Sequence, residues 1–423
     1  MKSGTVPKLQ KAATLPIPSP AAPSLTHELR VAELAVQRAA LATKRFLAEL
    51  NPTRAQANVP IGQYQHAGPT TTTSATKNGG AGGGGGTTGG GRVSLAKSDL
   101  SPVTVADLAA QALLIAAIHR AFPHDLIIGE EDAGELRADP ELAARVWRLV
   151  SATHLDDSAA DASLGRPGDM KQMLDLIDLG GGNKETKGRR FWCMDPIDGT
   201  SAFLKGGQYA ISLSLLQGGK ELLGVLGCPN WNFEDAMAGK LKEEELDSDG
   251  FGLMLAAERG KGATVRPIGS GVLLPETKLD RRKKPAVTDL KRVHFVDSKK
   301  SPATLTEKVE ILAGQIKASY EGTNLYSSHM RYAAVAMGGR EYVQFRWPQS
   351  GKKPWSIWDH AGSQLIYTES GAGVVTDLFG DAVDFESGNK IEKSWGLITA
   401  DRDIHAHIRS LVNKMGPVKP KIK

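Results

Sequence analysis

Apolar residues along this chain recur with two periods, and the switches between them mark out the elements. Leu29, Ala32, Val36, Ala40, Leu47 and Leu50 fall at helical spacing with Thr43 on the same stripe. They predict a first helix over 26–50, stopped by Asn51-Pro52. Thr104 followed by Asp107 has the form of a capping box and opens a second helix that runs to Phe122, where Pro123 ends it. Leu126-Ile127-Ile128 reads as a short buried strand entering Gly129-Glu130-Glu131-Asp132. Phe191 to Met194 reads as another, entering Asp195-Pro196-Ile197-Asp198-Gly199-Thr200. Over 209–216, Ile211, Leu213 and Leu215 alternate with Ala210, Ser212 and Ser214, as in a half-buried strand. Gly218-Gly219 then turns the chain and 222–227 pairs back, with further strands over 252–257 and 262–265.

Beyond a connector over 267–290 rich in Pro, Lys and Arg, strands are expected at 292–296, 342–345, 374–375 and 397–399. Helices are expected at 305–317, 330–337, 360–368 and 403–415, an alternation that suggests a separate α/β domain. Three stretches carry neither period. Residues 1–23 are rich in proline and free of acids, and read as a disordered tail with organellar import as the lesser alternative. Residues 52–92, with their Thr and Gly tracts, read as a flexible insertion. The polar run 154–187, containing Gly180 to Gly182, reads as a mobile excursion. The expected organisation is therefore a first α+β domain over 24–285, a second α/β domain over 286–414, and a tail over 415–423.

Composition narrows the class. The chain has 423 residues, 40% apolar and 23% charged, as in soluble globular proteins, and no apolar run long enough to span a bilayer. Its two cysteines, Cys193 and Cys228, cannot build a disulfide framework and read as buried thiols in a reducing compartment. The net charge of +5 suits an anionic substrate. Asp280-Arg281-Arg282-Lys283-Lys284 reads as a solvated basic loop rather than a nucleic-acid patch.

The acids carry the chemistry. Asp195 and Asp198 follow a hydrophobic strand without matching basic residues, and Gly199-Thr200 opens a helix start able to offer N–H groups to a phosphate. Glu130 and Glu131 alone fit a solvated loop, and Asp359 alone fits the first turn of a helix. Clustered, such carboxylates repel unless cations neutralise them, and oxygen ligands suit Mg²⁺, Mn²⁺ or Ca²⁺ rather than zinc. Two metals roughly 3.5–4 Å apart activate water and stabilise the leaving oxygen of a phosphate ester. A base for that water is also needed. Thr200 relays a proton only when bonded to a carboxylate, and Asp99 is the candidate, with a turn before Ser101-Pro102 as its structural alternative.

Three signatures in order, Gly129-Glu130-Glu131, Asp195-Pro-Ile-Asp198-Gly199-Thr200 and Trp358-Asp359, resemble the magnesium-dependent, lithium-sensitive phosphatase superfamily of inositol monophosphatases and fructose-1,6-bisphosphatases. The longer strings Lys97-Ser98-Asp99-Leu-Ser-Pro-Val-Thr104, Phe191-Trp-Cys-Met-Asp195, Phe203-Leu-Lys-Gly-Gly-Gln208, Gly227-Cys228-Pro229-Asn230 and Arg259-Gly-Lys-Gly262 are most similar to its 3'(2'),5'-bisphosphate nucleotidases of the eukaryotic salt-tolerance type. That resemblance implies a layered αβαβα fold of two subdomains with the active site between them. It implies hydrolysis of adenosine 3',5'-bisphosphate to AMP, and of 3'-phosphoadenylyl sulfate, in sulfur metabolism. It further implies two to three Mg²⁺ ions held by Glu130, Asp195, the Ile197 carbonyl, Asp198 and Asp359. Mn²⁺ is the implied substitute, and Li⁺ and Ca²⁺ the implied inhibitors. Asp99 and Thr200 would activate water, and Gly199 and Thr200 N–H groups would hold the scissile phosphate. Ser328, Arg331 and Arg346 match nucleotide-contacting positions, and a lysine at or near Lys300 replaces a nucleotide-contacting histidine. The expected protein is a cytoplasmic monomer acting on a small nucleotide, without nucleic-acid or membrane partners. The alternatives are an inositol phosphatase of the same superfamily, a non-catalytic nucleotide sensor, or a basic nucleic-acid-binding protein.

Overall fold

A computed structural model describes residues 24–50, 94–96 and 102–419, apart from 183, 245–246, 248–249, 299–303 and 350–353, with backbone only at 94–96 and 102–104. The expected tail over 1–23, the insertion over 52–92, Asp99 and Lys300 lie outside the described residues.

Two long helices form the first layer. Thr26–Leu50 has the bounds that its apolar stripe predicts, and Val105–Ala121 follows the Thr104 start. The second is apolar almost all round because it is enclosed, by Thr26–Leu50, the helices Pro140–Ala152 and Met170–Gly180, and the strand Arg190–Asp198. Beneath them lies a seven-stranded sheet in the order Leu126–Ile128, Arg190–Asp198, Ala210–Gln217, Lys220–Cys228, Leu253–Glu258, Gly262–Pro267, Thr277–Leu279. Its first pair is parallel and the rest antiparallel. Trp192, Met194, Ile211, Leu213 and Val225 face the long helices.

The opposite face, with Phe191, Cys193, Leu226 and Leu255, packs on a middle layer formed by the helices Ser328–Met337 and Ser363–Glu369. Below these lies a five-stranded sheet in the order Thr323–Asn324, His294–Asp297, Tyr342–Arg346, Leu397–Asp401, Gly373–Thr376. Its far face, with Phe295, Val343, Phe345, Ile398 and Ala400, is covered by Thr306–Ile316 and Arg402–Lys414. The five layers αβαβα are those that the resemblance implies.

Three expectations need correction. The strand Ala210–Gln217 is buried on both faces rather than half-buried, because helices cover the sheet on each side. Its serines are accommodated by hydrogen bonds, Ser212 Oγ to Ala361 O at 3.3 Å and Ser214 Oγ to Cys193 O at 3.2 Å. The run 154–187 is not an excursion. It holds the helices Ser158–Leu164 and Met170–Gly180, capped by the side chains of Asp157 and Asp169. Finally, the basic loop is only partly solvated. Arg281 is fully buried, its guanidinium 4.8 Å from the centroid of Tyr367, and Lys284 Nζ donates to Gly338 O at 2.9 Å. Both cysteines are buried and free, as expected. Among the described residues no helix is long and apolar enough to cross a membrane.

Candidate active site

Asp195 and Asp198 stand three residues apart on one strand, which in a regular pleat would send their side chains to opposite faces. A bulge removes that difference. Asp195 pairs with Ser212 and Asp198 with Ala210, so the bulged strand carries one extra residue against its partner. Pro196, which has no N–H to give a ladder, occupies this irregular step. The two carboxylates therefore converge. With Asp359, each offers an oxygen within 4.8 Å of the others.

Asp359 arrives from the second half of the chain, on the 3-10 turn Ile357–Asp359 that packs against the strand Arg190–Asp198. That turn and the next helix approach the first sheet very closely. A Cβ on Gly224 would lie 2.4 Å from Gly362 Cα, and Gly362 itself has φ +86°. Glu130 arrives on the loop after Leu126–Ile128, which Gln111 pins: its Nε2 donates to Glu131 O at 2.7 Å and its Oε1 accepts from Glu131 N at 2.9 Å.

Electrostatics follow from this crowding. Burial, then the charges of Glu130, Asp198, Asp359 and Asp107, push the Asp195 carboxyl far above the usual carboxylate range. Burial, then Asp198 and Glu130, push Asp359 up to about 7, with Arg346 and Lys390 opposing. Asp195 Oδ1 is buried without a hydrogen-bond partner. A buried orphan oxygen amid mutually repelling carboxylates is costly in protein alone and is relieved by a hard cation. The donor set fits a divalent metal. Asp198 keeps one oxygen for the protein: its Oδ2 accepts from Ser327 Oγ at 2.5 Å and from His329 N at 2.6 Å.

Thr200 opens the four-residue helix Thr200–Phe203 behind Gly199, whose φ of +93° favours glycine. Its Oγ1 lies 3.2 Å from Ile197 O and 3.4 Å from Asp107 Oδ1. Among the described residues Asp107, 1% exposed, meets Thr200; Asp99, the expected partner, lies outside them. In the sequence Asp107 has only the pattern of a helix-capping acid. Ile197, expected as a carbonyl ligand, is buried and accepts from Thr200 here.

The second sheet supplies cations. Arg331 is 2% exposed and its guanidinium reaches Leu325 O at 2.9 Å, Tyr326 O at 3.0 Å and Ser328 Oγ at 2.9 Å. Arg346, also buried, reaches the same Ser328 Oγ at 3.5 Å and Thr304 Oγ1 at 3.4 Å, and lies 4.5 Å from the centroid of Trp355. Burial and Arg346 push Arg331 down to about 9, and burial lowers Arg346 too, against the pull of Asp359. Among the described residues neither guanidinium forms an ion pair within 4.0 Å of a carboxylate. Ser328 and Arg331, one turn apart on the helix Ser328–Met337, thus meet Arg346 from the strand Tyr342–Arg346 beside the acids. Ser327 and His329, which hold Asp198, and Gln111, which holds the Glu130 loop, were missed. Of these only Ser327 left a signal, as the N-cap serine of Ser328–Met337.

Comparison with known proteins gives consistent matches. The inositol monophosphatase family matches residues 76–415. A 3'(2'),5'-bisphosphate nucleotidase of Emericella nidulans is 35% identical over 325 residues, covering 76% of this chain and 90% of the relative. One from Schizosaccharomyces pombe is 32% identical over 311 residues, covering 74% and 83%, and one from Oryza sativa is 32% identical over 315 residues, covering 73% and 83%. Among solved structures, inositol monophosphatase-II from Staphylococcus aureus MSSA476 is similar with a TM-score of 0.49 and 17% identity, covering 94% of this chain and 100% of that one.

Proposed function

The chain belongs to the inositol monophosphatase family, and we propose that within it the protein hydrolyses the 3'-phosphate of adenosine 3',5'-bisphosphate to AMP and phosphate. The observation that carries the chemistry is the convergence of Asp195, Asp198 and Asp359 within 4.8 Å, with Asp195 Oδ1 buried and unpartnered. Asp195, Asp198, Asp359, Glu130 and the Ile197 carbonyl would hold two to three Mg²⁺ ions, with Mn²⁺ as a substitute. When bound, these ions polarise the phosphoryl group and lower the pKa of a water.

The chain's own residues supply the rest. Thr200 accepts a proton from the attacking water as its own passes to Asp107, across the 3.4 Å between them. The N–H groups of Gly199 and Thr200 orient the scissile phosphate. Arg331 and Arg346, buried together over Ser328, offer charge-assisted bonds to the second phosphate. Lys300 would add a nucleotide contact.

The substrate rests on the relatives, named 3'(2'),5'-bisphosphate nucleotidases, and on that pair of arginines. By the same resemblance 3'-phosphoadenylyl sulfate would be a second substrate, the activity would serve sulfur metabolism, and Li⁺ and Ca²⁺ would inhibit. Free, buried Cys193 and Cys228 support a reducing, cytoplasmic compartment, and the protein is taken to work as a monomer. Phosphate release with Mg²⁺ from adenosine 3',5'-bisphosphate and from inositol 1-phosphate tests the substrate. Faster turnover of the nucleotide is expected; much faster turnover of the inositol ester would replace this reading by an inositol phosphatase.

A further inference from the structure

Asp198 sits at the end of a first-sheet strand and Asp359 on a turn from the second half of the chain, yet one residue holds both. The backbone N–H of His329 donates to Asp198 Oδ2 at 2.6 Å. Its imidazole reaches the other segment twice, with Nε2 2.7 Å from Trp358 O and Nδ1 2.7 Å from Ser363 Oγ. Trp358 immediately precedes Asp359, and Ser363 is the first residue of the helix that leaves the turn. The ring therefore spans the short segment that carries Asp359 and grips it before and after the carboxylate.

The chemistry of the partners fixes the tautomer. A carbonyl only accepts, so Nε2 carries the proton toward Trp358 O, and in the neutral ring Nδ1 accepts from the Ser363 hydroxyl, for which His360 O at 3.2 Å is a second, longer acceptor. His329 is 0% exposed and Ser363 1%, so both bonds are shielded from bulk solvent. The helix Ser328–Met337, in whose first turn His329 lies, is itself seated on Asp198: Ser327 Oγ donates to Asp198 Oδ2 and accepts from Met330 N at 2.9 Å. On the far side of the turn, Glu221 Oε1 accepts from Gly362 N at 2.7 Å. The segment 358–363 is thus clamped between a side chain of the first sheet and a side chain of the middle layer.

We infer that His329 is a positioning residue that sets the separation of the Asp198 and Asp359 carboxylates, and through it the affinity of the acid cluster for divalent cations. The inference rests on reading that cluster as a metal site. The imidazole touches no substrate in this reading; it acts through Trp358 and Ser363, as outer-shell groups act on metal ligands.

The test is Mn²⁺ binding to the full-length protein, followed by the electron paramagnetic resonance of free Mn²⁺, in wild type, H329A, H329Q and S363A. H329A should weaken Mn²⁺ binding by about 10–100-fold, the usual effect of removing an outer-shell partner. H329Q, which keeps a donor for Trp358 O, should recover part of that loss, and S363A should show a smaller one. KM for the nucleotide at saturating metal should stay within a few-fold in all three, a split that a general loosening of the fold would not give. Unchanged Mn²⁺ affinity in H329A and H329Q, beside a wild type that binds, overturns the inference alone. Absence of Mn²⁺ binding in the wild type overturns the metal site and this inference with it. Should H329A fail to fold, H329Q and S363A decide, and wild-type affinity in both overturns the inference.

Discussion

The hydroxyl of Thr200 lies 3.4 Å from Oδ1 of Asp107, although 93 residues separate them in the chain. Thr200 stands at the helix start beside the acid cluster, and Asp107 in the first turn of the enclosed helix Val105–Ala121 that packs on the strand Arg190–Asp198. The contact offers Asp107 as a base for the proposed threonine relay, the role that the family resemblance gives to Asp99. D107N should lower kcat by roughly 10²–10⁴-fold, the range for general-base loss, with little change in KM. D99N, at the aspartate to which the resemblance gives the same role, is the comparison. Steady-state kinetics of the two variants check the assignment, and a larger loss in D99N would return the role to Asp99.

Arg346 predicts a selective effect on the second phosphate. Its guanidinium shares Ser328 Oγ with Arg331 and makes no ion pair among the described residues, so it is available to an anion. R346M should raise KM for adenosine 3',5'-bisphosphate by about 10–100-fold, matching the ~1.5–3 kcal/mol of a hydrogen bond to a charged group. KM for adenosine 3'-monophosphate, which lacks the 5'-phosphate, should change little. An equal rise for both substrates would remove Arg346 from that contact.

Much of this architecture is written in local patterns. The helix Thr26–Leu50 follows from one apolar stripe, and the strand ending at Asp198 from an unbroken apolar run buried on both sides. The serines of Ala210–Gln217 misled because an alternating pattern describes a sheet with one wet face, whereas here the second helical layer covers Ser212 and Ser214. The helix Met170–Gly180 was hidden by its polar flanks, although Asp169 is an ordinary N-cap signal. The acids of the site were legible because few other arrangements explain charge at the end of a buried strand. Asp107 was not, because an acid at the third position of a helix already has a local role. Only the packing of the helix Val105–Ala121 against the strand Arg190–Asp198 gives it another.

Glu221 carries a pH dependence of stability. Burial pushes its carboxyl up to about 7, outweighing the N–H groups of Gly362 and Leu365 and the charge of Arg259, which favour ionisation. The folded state therefore holds this proton more tightly than the unfolded chain. Its contribution to stability is complete below the unfolded pKa near 4.5 and is lost as pH rises through about 7. In E221Q the amide oxygen still accepts from both N–H groups, but no proton is lost. The drop in Tm between about pH 5 and pH 8 should be smaller in E221Q than in wild type. Glu33 and Glu243, both also pushed up to about 7, contribute the same slope to both proteins and cancel in the comparison. An identical drop in the two proteins would contradict the assignment.

The central claim is that Asp195, Asp198 and Asp359 form the cation seat of a phosphoester hydrolase, with Asp195 at its buried centre. The most direct measurement is phosphate release from adenosine 3',5'-bisphosphate as Mg²⁺ is titrated into wild type and D195N. The account predicts turnover that requires Mg²⁺ in the wild type and is lost in D195N at every Mg²⁺ concentration, with the variant still folded. Turnover without added metal in chelated wild type, or undiminished turnover in D195N, would contradict it.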